Sequence, residues 1–524
     1  MKWIRASLSA LPLLATGGVA AFDVLQRKHA LLWNFPVIGH FRYLLESIGP
    51  ELRQYIVTSN DEERPFSRDQ RRWVYASSKM ENNYFGFGTD NDLEHTAGYP
   101  IIKQRTFSSV VPPSGIHAGE EVWLPSAKVL GAARGRAKAF RPNSVVNVSA
   151  MSYGSLSAQA VEAINRGVAI CDAVQNTGEG GLSRHHRQGG DLVFQIGTAY
   201  FGCRDEQGRF DLARLKELVA GAPVRAIEIK LSQGAKPGLG GVLPGVKVTP
   251  AIAEARGVPV GQTCISPSRH AEFSDVDSML DWVELLASET GLPVGIKSAV
   301  GADRFWENLV HEMATSGRGV DFITVDGGEG GTGAAPLTFS DSVSLPFRVG
   351  FARVYSRFAR AGLTDRVTFV GSGKLGLPDN AMVAFALGCD MVNVAREAML
   401  SVGCIQSQRC HTDRCPTGVA TQDPWLTRGL DPTLKSVRLA NYVRTLRRDL
   451  VKVSEACGVY HPGLVTADDI ELLDGTRSGR SIREVYGYEP GWGVPSDADR
   501  EALHALLSRT APEGGGAPAS PARV

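Results

Sequence analysis

The chain has 524 residues, enough for roughly two to four domains or for one large barrel with appended segments. Its 56 lysines and arginines nearly balance its 55 aspartates and glutamates, and the formal net charge is +1. Such a balance creates no global positive field, which argues against a nucleic-acid-binding protein. Fifty-eight glycines predict many tight loops. Eight cysteines are too few for a disulfide scaffold, so we expect a reducing compartment.

The N-terminal segment, residues 1–50, carries an apolar stretch at Ala6–Phe22 after two basic residues. This stretch is at the lower limit of length for a membrane-spanning helix. The following Leu31–Leu45 has an amphipathic pattern that suits a membrane surface. A cleaved signal peptide and a buried pair of helices are alternatives. We expect a single anchor that places the protein on the cytoplasmic face of a membrane, with a cytoplasmic protein as the alternative.

Short β-branched runs alternate with helical patterns through the middle of the chain, which predicts parallel βα units. Eight such runs in about 250 residues predict a (β/α)8 TIM barrel over residues 145–400. The predicted strands are Val145–Val148, Cys171–Val174, Ala226–Ile229, Gln262–Ile265, Pro293–Ile296, Phe322–Val325, Val367–Val370 and Met391–Val394. We expect residues 51–144 to form an arm, residues 401–490 a cluster loop with helices, and residues 491–524 a largely disordered tail.

Polar and glycine-rich segments follow nearly every predicted strand, notably Asn176–Gly181 and Asp326–Gly333. In such barrels the loops after the strands meet at one mouth, where ligands bind. A turn-forming role explains one glycine-rich loop, but it does not explain a series of them. The sequence therefore predicts a ligand site at the C-terminal mouth of the barrel.

Cationic and backbone groups near this mouth suit a phosphorylated cofactor. Exposed backbone N–H groups around Gly371, Gly373 and Arg396 occupy the usual place of a phosphate site. Lys230 and Lys297 end two strands, where an ammonium group can stabilise the negative charge of a reduced flavin. Ion pairs at the barrel rim are the alternative role for both lysines.

Several charged residues suit the handling of protons and of an acidic substrate. Glu179 and Glu329 lie in glycine-rich loops that allow a carboxylate to approach a substrate, although solvated loop carboxylates are the alternative. Lys236 and Arg256 offer two cationic groups suited to a dicarboxylate.

Three cysteines follow the last predicted strand with loop spacing. Five residues separate Cys404 from Cys410, four separate Cys410 from Cys415, and Pro416 follows. This arrangement favours an iron–sulfur cluster. A zinc site that includes His411 and a set of free thiols remain as alternatives.

Five ordered motifs resemble the synthase domain of glutamate synthase over about Val145–Asp423. They are Ser149–Ser155, Asn176–Gly181, Lys230–Gly238, Asp326–Gly333 and Cys404–Gln422. The resemblance implies an FMN barrel beside a 3Fe-4S cluster. The implied reaction is the reduction of 2-iminoglutarate, formed from 2-oxoglutarate and ammonia, to L-glutamate.

The resemblance also assigns roles to individual residues. It implies substrate contacts for Glu179, Lys236 and Arg256. It implies flavin contacts for Met151, Ser152, Asn176, Gln195, Lys297, Gly371 and Gly373. It implies that Cys404, Cys410 and Cys415 hold the cluster. Leu239 and Val242 replace a Glu and a Gln of the family pattern, so a different 2-oxo or imino acid, or an N-substituted glutamate, is an alternative substrate.

The sequence lacks two features of the large glutamate synthases. No nucleophilic cysteine follows Met1, so we expect a glutaminase or another partner to supply ammonia. We expect no NADPH-binding Rossmann domain in this chain, and therefore a separate protein as the electron donor. A non-catalytic membrane electron-transfer subunit is a further hypothesis. The charged residues Glu179, Lys236 and Arg256 at the mouth argue against it.

Overall fold

The structure, a computed structural model, describes residues 2–26, 28–57, 63–108, 110, 112–113, 115–116 and 122–508, with the backbone alone for residues 2–13. The chain divides into two compact units, Met1–Asp69 and Gln70–Val524. Part of the tail that we expected to be disordered forms a helix, Asp497–Ser508, so that prediction is wrong there. Residues 509–524 lie outside the described residues.

Eight parallel strands close into a barrel, as the sequence predicts. They are β1 (Val146–Val148), β2 (Val174–Asn176), β3 (Asp191–Ile196), β4 (Val224–Lys230), β5 (Val294–Ser298), β6 (Phe322–Asp326), β7 (Thr368–Ser372) and β8 (Met391–Val394). Each strand pairs with the next along the chain, and β8 pairs with β1. Closure leaves the barrel without an unpaired edge.

One predicted strand is wrong and one real strand was missed. Gln262–Ile265 is not a barrel strand, because Cys264–Ile265 pairs antiparallel with Val242–Leu243 in a separate two-stranded sheet. Ile265 is exposed there, whereas a barrel strand is buried on both faces. The missing strand is β3. The second predicted strand is also displaced, since Cys171 ends a helix and β2 begins at Val174.

The described residues also form seventeen α-helices. They are Lys2–Leu25, Ala30–Asn34, Gly39–Leu52, Arg68–Lys79, Ala158–Ile170, Leu212–Ala220, Pro250–Arg256, Val276–Thr290, Arg304–Thr315, Leu337–Ser342, Phe347–Arg360, Pro378–Ala386, Arg396–Ser401, Pro424–Thr427, Pro432–Ala456, Ile482–Tyr486 and Asp497–Ser508. A three-stranded antiparallel sheet joins Pro100–Ile102, Ile470–Leu473 and Gly479–Ser481.

The longest C-terminal helix, Pro432–Ala456, packs closely on Ala158–Ile170. Gly167 makes this approach possible, because a Cβ atom there would lie 2.8 Å from the side chain of Leu439 and 2.9 Å from the carbonyl oxygen of Ser436. Residues after the barrel therefore form part of its helical layer.

The segment before the barrel closes the barrel's lower end. Leu130 and Phe140 exchange two backbone hydrogen bonds of 2.9 and 3.0 Å. The Leu130 side chain is buried in an apolar cluster with Ala226, Phe322, Val370 and Met391. Part of the expected arm is thus core, and the mouth lies at the opposite end of the barrel.

In the N-terminal unit, one buried carboxylate links the helix Lys2–Leu25 to the start of the helix Gly39–Leu52. Asp23 accepts hydrogen bonds from the backbone N–H of Val37 at 2.9 Å and from His40 Nε2 at 2.9 Å. The Val37 bond, together with His40, lowers the pKa of Asp23 despite its desolvation. In the parts of the chain that the structure describes, no helix combines the length and apolarity needed to cross a bilayer. The expected anchor at Ala6–Phe22 is therefore unsupported.

Candidate active site

A cavity of about 360 Å³ opens at the carboxyl ends of the barrel strands. Eight of the thirteen residues to which the family resemblance assigns a role line it: Met151, Ser152, Glu179, Gln195, Lys236, Arg256, Lys297 and Cys410. The remaining five do not line it: Asn176, Gly371, Gly373, Cys404 and Cys415. The barrel thus brings together residues that are far apart in sequence.

Glu179 forms an ion pair within the cavity. Its carboxylate lies 2.7 Å from Lys230 Nζ, which also donates to Gln233 at 3.1 Å. Glycine leaves room for this carboxylate, because a Cβ atom at Gly197 or Gly241 would lie 2.7 Å from one of its oxygens. Burial raises the pKa of Glu179, but the charge and hydrogen bond of Lys230 outweigh it and hold the pKa below its ordinary value. Glu179 is therefore a carboxylate at neutral pH.

Lys236 and Arg256 are buried cations near this pair. Lys236 donates to the carbonyl oxygen of Gly240, and Arg256 Nη2 donates to that of Tyr153 at 3.2 Å. Burial, assisted by Lys230, lowers the pKa of Lys236 to about 8. Burial also lowers the pKa of Arg256. Among the residues that the structure describes, neither Lys236 nor Arg256 has a carboxylate within ion-pair distance. These two cations can therefore receive an anionic ligand.

Lys297 lies one residue before the end of β5 and is in register with Lys230 on β4. Its Nζ lies 3.5 Å from Asp326, and Asp326 accepts a 2.9 Å hydrogen bond from the backbone of Gly234. Both predicted strand-end lysines therefore face the mouth, and both also form the rim ion pairs that were the alternative.

Two predicted flavin contacts, Asn176 and Gln195, share a partner that sequence reasoning missed. Their carboxamides donate to Glu228 Oε1 at 2.8 and 2.6 Å. Glu228 is 1% exposed and lies on β4 two residues before Lys230. Because strand side chains alternate, a Glu two residues from an inward-facing Lys is a signal that could have been used.

The two predicted phosphate-site glycines differ in their surroundings. A Cβ atom at Gly371 would lie 2.8 to 2.9 Å from Leu375, Cys389 and Phe347, so apolar packing already accounts for this glycine. Gly373 has φ +141°, a conformation that favours glycine. Phosphate binding by their backbone stays a prediction.

Glu329, the second loop carboxylate, caps a helix. Both of its oxygens accept the backbone N–H of Phe347, at 3.0 and 2.8 Å, where Phe347–Arg360 begins. Burial raises its pKa. Glu329 is not among the cavity-lining residues, so the structure does not support direct substrate contact.

The three loop cysteines are neighbours. Burial, together with the charges of Cys410 and Cys415, raises the pKa of Cys404 to about 12, while the backbone N–H of Gln406 opposes the change. Burial and Cys415 raise the pKa of Cys410. In the described ranges, no three Cys, His, Asp or Glu side chains are arranged to hold a metal ion. The ligand assignment stays a prediction.

The cysteine loop borders the mouth cavity. Buried Lys247 donates to the carbonyl oxygens of Cys410 at 2.9 Å and Ala420 at 3.0 Å. On the other side, a Cβ atom at Gly333 would lie 3.2 Å from His411 Cα. The glycine-rich loop after β6 and the cysteine loop are thus in close contact, with Cys410 and His411 on the cavity wall.

A closed parallel barrel with an ion pair and two further buried cations at its mouth is typical of barrel enzymes whose ligands bind at the C-terminal ends of the strands. Residues 131–460 match the family model described as the conserved region in glutamate synthase. The chain belongs to the glutamate synthase family, which confirms the resemblance and the class of oxidoreductase.

Individual relatives agree with this assignment. The chain is 38% identical over 483 residues to the glutamate synthase large subunit-like protein YerD of Bacillus subtilis (strain 168), covering 86% of this chain and 91% of that one. It is 34% identical over 340 residues to an archaeal-type glutamate synthase (NADPH) of Thermotoga sp. (strain RQ2), covering 63% of this chain and 61% of the relative.

Solved structures share the chain path more loosely. A double mutant of flavocytochrome b2 with pyruvate bound has a TM-score of 0.44 and 13% identity, covering 92% of this chain and 99% of that chain. A mandelate oxidase variant has a TM-score of 0.40 and 14% identity, covering 77% of this chain and 90% of that chain. Similarity at this level does not identify a ligand or a reaction.

Proposed function

We propose that this protein binds FMN at the barrel mouth and reduces 2-iminoglutarate, formed from 2-oxoglutarate and ammonia, to L-glutamate. The observation that carries the proposal is the pair of buried cations, Lys236 and Arg256, which lack carboxylate partners among the described residues and line one cavity with Glu179. Two cations suit the two carboxylates of the substrate. Membership of the family supports the reaction class.

The cavity lining suits a flavin, since the ammonium groups of Lys230 and Lys297, each also paired with a carboxylate, would stabilise the negative charge of the reduced ring. Met151, Ser152, Gln195 and Lys297 would contact the flavin. The backbone at Gly371 and Gly373 would hold the phosphate. Asn176 would support the flavin site indirectly, through its hydrogen bond to Glu228 beneath the cavity. When bound, FMN supplies the hydride equivalent that reduces an imine.

Glu179 would act on the nitrogen of the substrate. Its lowered pKa keeps it ionised, so it would accept an N–H hydrogen bond and favour the protonated, more electrophilic imine. The 2.7 Å contact with Lys230 fixes its position and offers a route for a proton. Lys236 and Arg256 would hold the carboxylates and so orient the imine carbon.

A 3Fe-4S cluster held by Cys404, Cys410 and Cys415 would bring electrons from a separate donor protein. The charges of Cys410 and Cys415 contribute to the raised pKa of Cys404, and that of Cys415 contributes to the raised pKa of Cys410, which supports the proximity of the three side chains. The position of the cysteine loop on the cavity wall supports electron transfer from the cluster to the flavin. Buried thiols resist ionisation by themselves, so a bound metal cluster would account for placing three of them together. Ammonia would come from a glutaminase or another ammonia-supplying partner.

Reoxidation of the reduced flavin tests the proposal. The protein is purified anaerobically, reconstituted with FMN and reduced, and the flavin absorbance is followed as 2-oxoglutarate and ammonium are added singly and together. We expect rapid reoxidation with both and little with either alone. A reduced flavin that ignores the mixture contradicts the substrate assignment, and a protein that binds no FMN contradicts the proposal as a whole.

A second candidate is the same reaction on a less polar 2-oxo acid. Val242 and Leu243 line the cavity beside the cations, so part of the wall facing a substrate is apolar. An apolar wall favours an apolar side chain and offers no hydrogen bond to a distal carboxylate.

Substitution of Val242 by Gln separates the two candidates. If the wall selects an apolar substrate, Val242→Gln should shift kcat/KM by about tenfold from 2-oxoisovalerate toward 2-oxoglutarate, each with ammonium. Leu239→Gln is the matched control, because Leu239 does not line the cavity and should leave the ratio unchanged. A wild type that already prefers 2-oxoglutarate excludes the second candidate.

A further inference from the structure

Glu228 lies inside the barrel, beneath the mouth cavity. It is 1% exposed, and in the parallel pairing of β3 with β4 it stands directly opposite Gln195. Gln195 lines the mouth cavity, whereas Glu228 lines a separate small cavity below it. Glu228 therefore supports the floor of the site without facing the ligand.

Three neutral donors converge on the Glu228 carboxylate. Gln195 Nε2 and Asn176 Nδ2 donate to Oε1 at 2.6 and 2.8 Å, and Thr324 Oγ1 donates to Oε2 at 2.7 Å. Asn176, Glu228 and Thr324 come from β2, β4 and β6, and Asn393 from β8 lines the same small cavity. Alternate strands of such a barrel build one interior layer, which branched apolar residues usually fill. Here that layer is polar.

No cation shares this position among the described residues. The neighbouring lysines are paired with other carboxylates, Lys230 with Glu179 and Lys297 with Asp326. A buried carboxylate without a cation is unfavourable unless hydrogen bonds compensate for it. The three donors supply that compensation, so their orientation is tied to the charge of Glu228.

This charge determines which way the two amides point. An ionised carboxylate accepts hydrogen bonds only, so Gln195 and Asn176 must turn their NH2 groups toward it. The carbonyl oxygen of Gln195 is then its free polar atom on the side of the mouth cavity. Asn176 Oδ1 accepts the backbone N–H of Gly178 at 3.0 Å, next to Glu179. One carboxylate thus orients a cavity acceptor and the start of the Glu179 loop.

We propose that Glu228 is a positioning residue that makes Gln195 a hydrogen-bond acceptor on the floor of the ligand cavity. A ligand that offers an N–H donor at one edge, as the pyrimidine-like ring of a flavin does, matches this floor. The inference rests on the proposed function, because it takes FMN as the ligand.

The test compares FMN binding by the whole chain in four forms: wild type, Glu228→Gln, Gln195→Leu and the double variant. Each is freed of flavin and titrated with FMN, and the dissociation constant and the visible absorption band of the bound flavin are recorded. A Gln at position 228 can donate or accept, so the amide of Gln195 loses its single orientation. We expect Glu228→Gln to raise the dissociation constant about tenfold and to alter the absorption band.

Two comparisons separate positioning from a general structural effect. If Glu228 acts through Gln195, adding Glu228→Gln to Gln195→Leu should raise the dissociation constant less than about twofold further, whereas independent effects would multiply. Thr324→Val is the control, since it removes a donor from the other carboxylate oxygen and does not touch Gln195. If Glu228→Gln does not fold, Glu228→Asp replaces it, because the shorter side chain withdraws from Gln195 but keeps the charge.

The outcomes distinguish the inference from the function on which it rests. FMN binding by the wild type with unchanged binding and absorption in the position-228 variant overturns the inference alone, as do effects that multiply in the double variant or an equal effect of Thr324→Val. A folded wild type that binds no FMN overturns the proposed function and this inference with it.

Discussion

Lys236 is the residue whose titration should be visible in activity. Its ammonium lies in the same cavity as Glu179, Lys230 and Arg256, and its pKa is about 8 because burial and Lys230 disfavour the charged form more than Glu179 supports it. At pH 7 it is mainly charged, so it can bind a carboxylate. As pH rises through about 8, it becomes neutral and loses that ability.

We therefore expect kcat/KM for 2-oxoglutarate with ammonium to fall above pH 8, approaching tenfold per pH unit. Initial rates between pH 6.5 and 10 would measure this decrease. Ammonium itself titrates in this range, so the rates would be measured again with a second amine of different pKa in place of ammonium to correct for that titration. Lys236→Arg is the matched variant, since arginine stays charged throughout. Its profile should lose the alkaline limb even if its maximum is lower. An unchanged limb in that variant would assign the titration to another group.

Single residues also mark the limit of sequence reasoning. Glu179 and Lys236 are recognisable because they lie in motifs that resemble those of a family, and the structure brings both, with Arg256, to one cavity. Glu228 has no motif of its own. Its importance comes from Asn176, Gln195 and Thr324, whose side chains meet only when the barrel closes.

The loop after β6 supports a helix more directly than it serves chemistry. The carboxylate of Glu329 caps Phe347–Arg360 by accepting the Phe347 N–H with both oxygens. Anions at a helix N-terminus are stabilising because unpaired N–H groups and the helix dipole favour them.

We expect Glu329→Ala to lower the free energy of unfolding by about 1–2 kcal/mol, because this N–H would lose its acceptor. Denaturant unfolding followed by circular dichroism would measure the change, and FMN affinity should be nearly unaffected. Glu179→Gln is the companion variant and should lose activity, because glutamine cannot carry the charge that pairs with Lys230 at 2.7 Å. A large loss of flavin affinity in Glu329→Ala would show that the loop also forms part of the ligand site.

The cysteine loop is a second element with a testable role. We expect Cys410→Ser to remove iron and donor-driven turnover but to leave FMN bound, because cluster and flavin use different loops. Iron content and flavin content of the anaerobically purified variant would be compared with those of wild type. Cys457→Ser, a buried thiol at the end of Pro432–Ala456, is the control and should retain iron. Iron retained by Cys410→Ser would refute the ligand assignment.

At the scale of the whole molecule, buried histidines predict acid sensitivity. His461 Nε2 hydrogen-bonds the carbonyl oxygen of Pro125 at 3.0 Å, and its Nδ1 accepts the Gly463 N–H at 3.1 Å, so it joins the C-terminal region to the segment before the barrel. Burial lowers the pKa of His461 to about 4 and that of His186 to about 3. Both imidazoles are therefore neutral in the folded protein at neutral pH.

An unfolded histidine binds its proton near pH 6.5, before the folded one does, so acid favours the unfolded state. We expect each histidine to remove up to about 1.4 kcal/mol of stability per pH unit as pH falls below 6.5, and the His461 contribution to level off below about 4. Urea unfolding at pH 7, 6 and 5 would measure the slope. His461→Asn keeps an acceptor for Gly463 but does not titrate, so its slope should be smaller. An equal slope would exclude His461 as a source.

The sequence by itself determined the class of fold, most strands of the barrel, the charged residues of the mouth and the family. These follow from local patterns, because β-branched runs and glycine-rich loops recur in order along the chain. Tertiary structure decided what depends on distant partners: that β3 rather than Gln262–Ile265 completes the barrel, that Leu130 closes its lower end, and that Glu228 lies beneath the cavity. Which segments become barrel strands, which residue closes the lower end and which side chains hydrogen-bond to each other all depend on packing between residues that are distant in sequence. Short-range periodicity does not indicate which of these residues will be in contact.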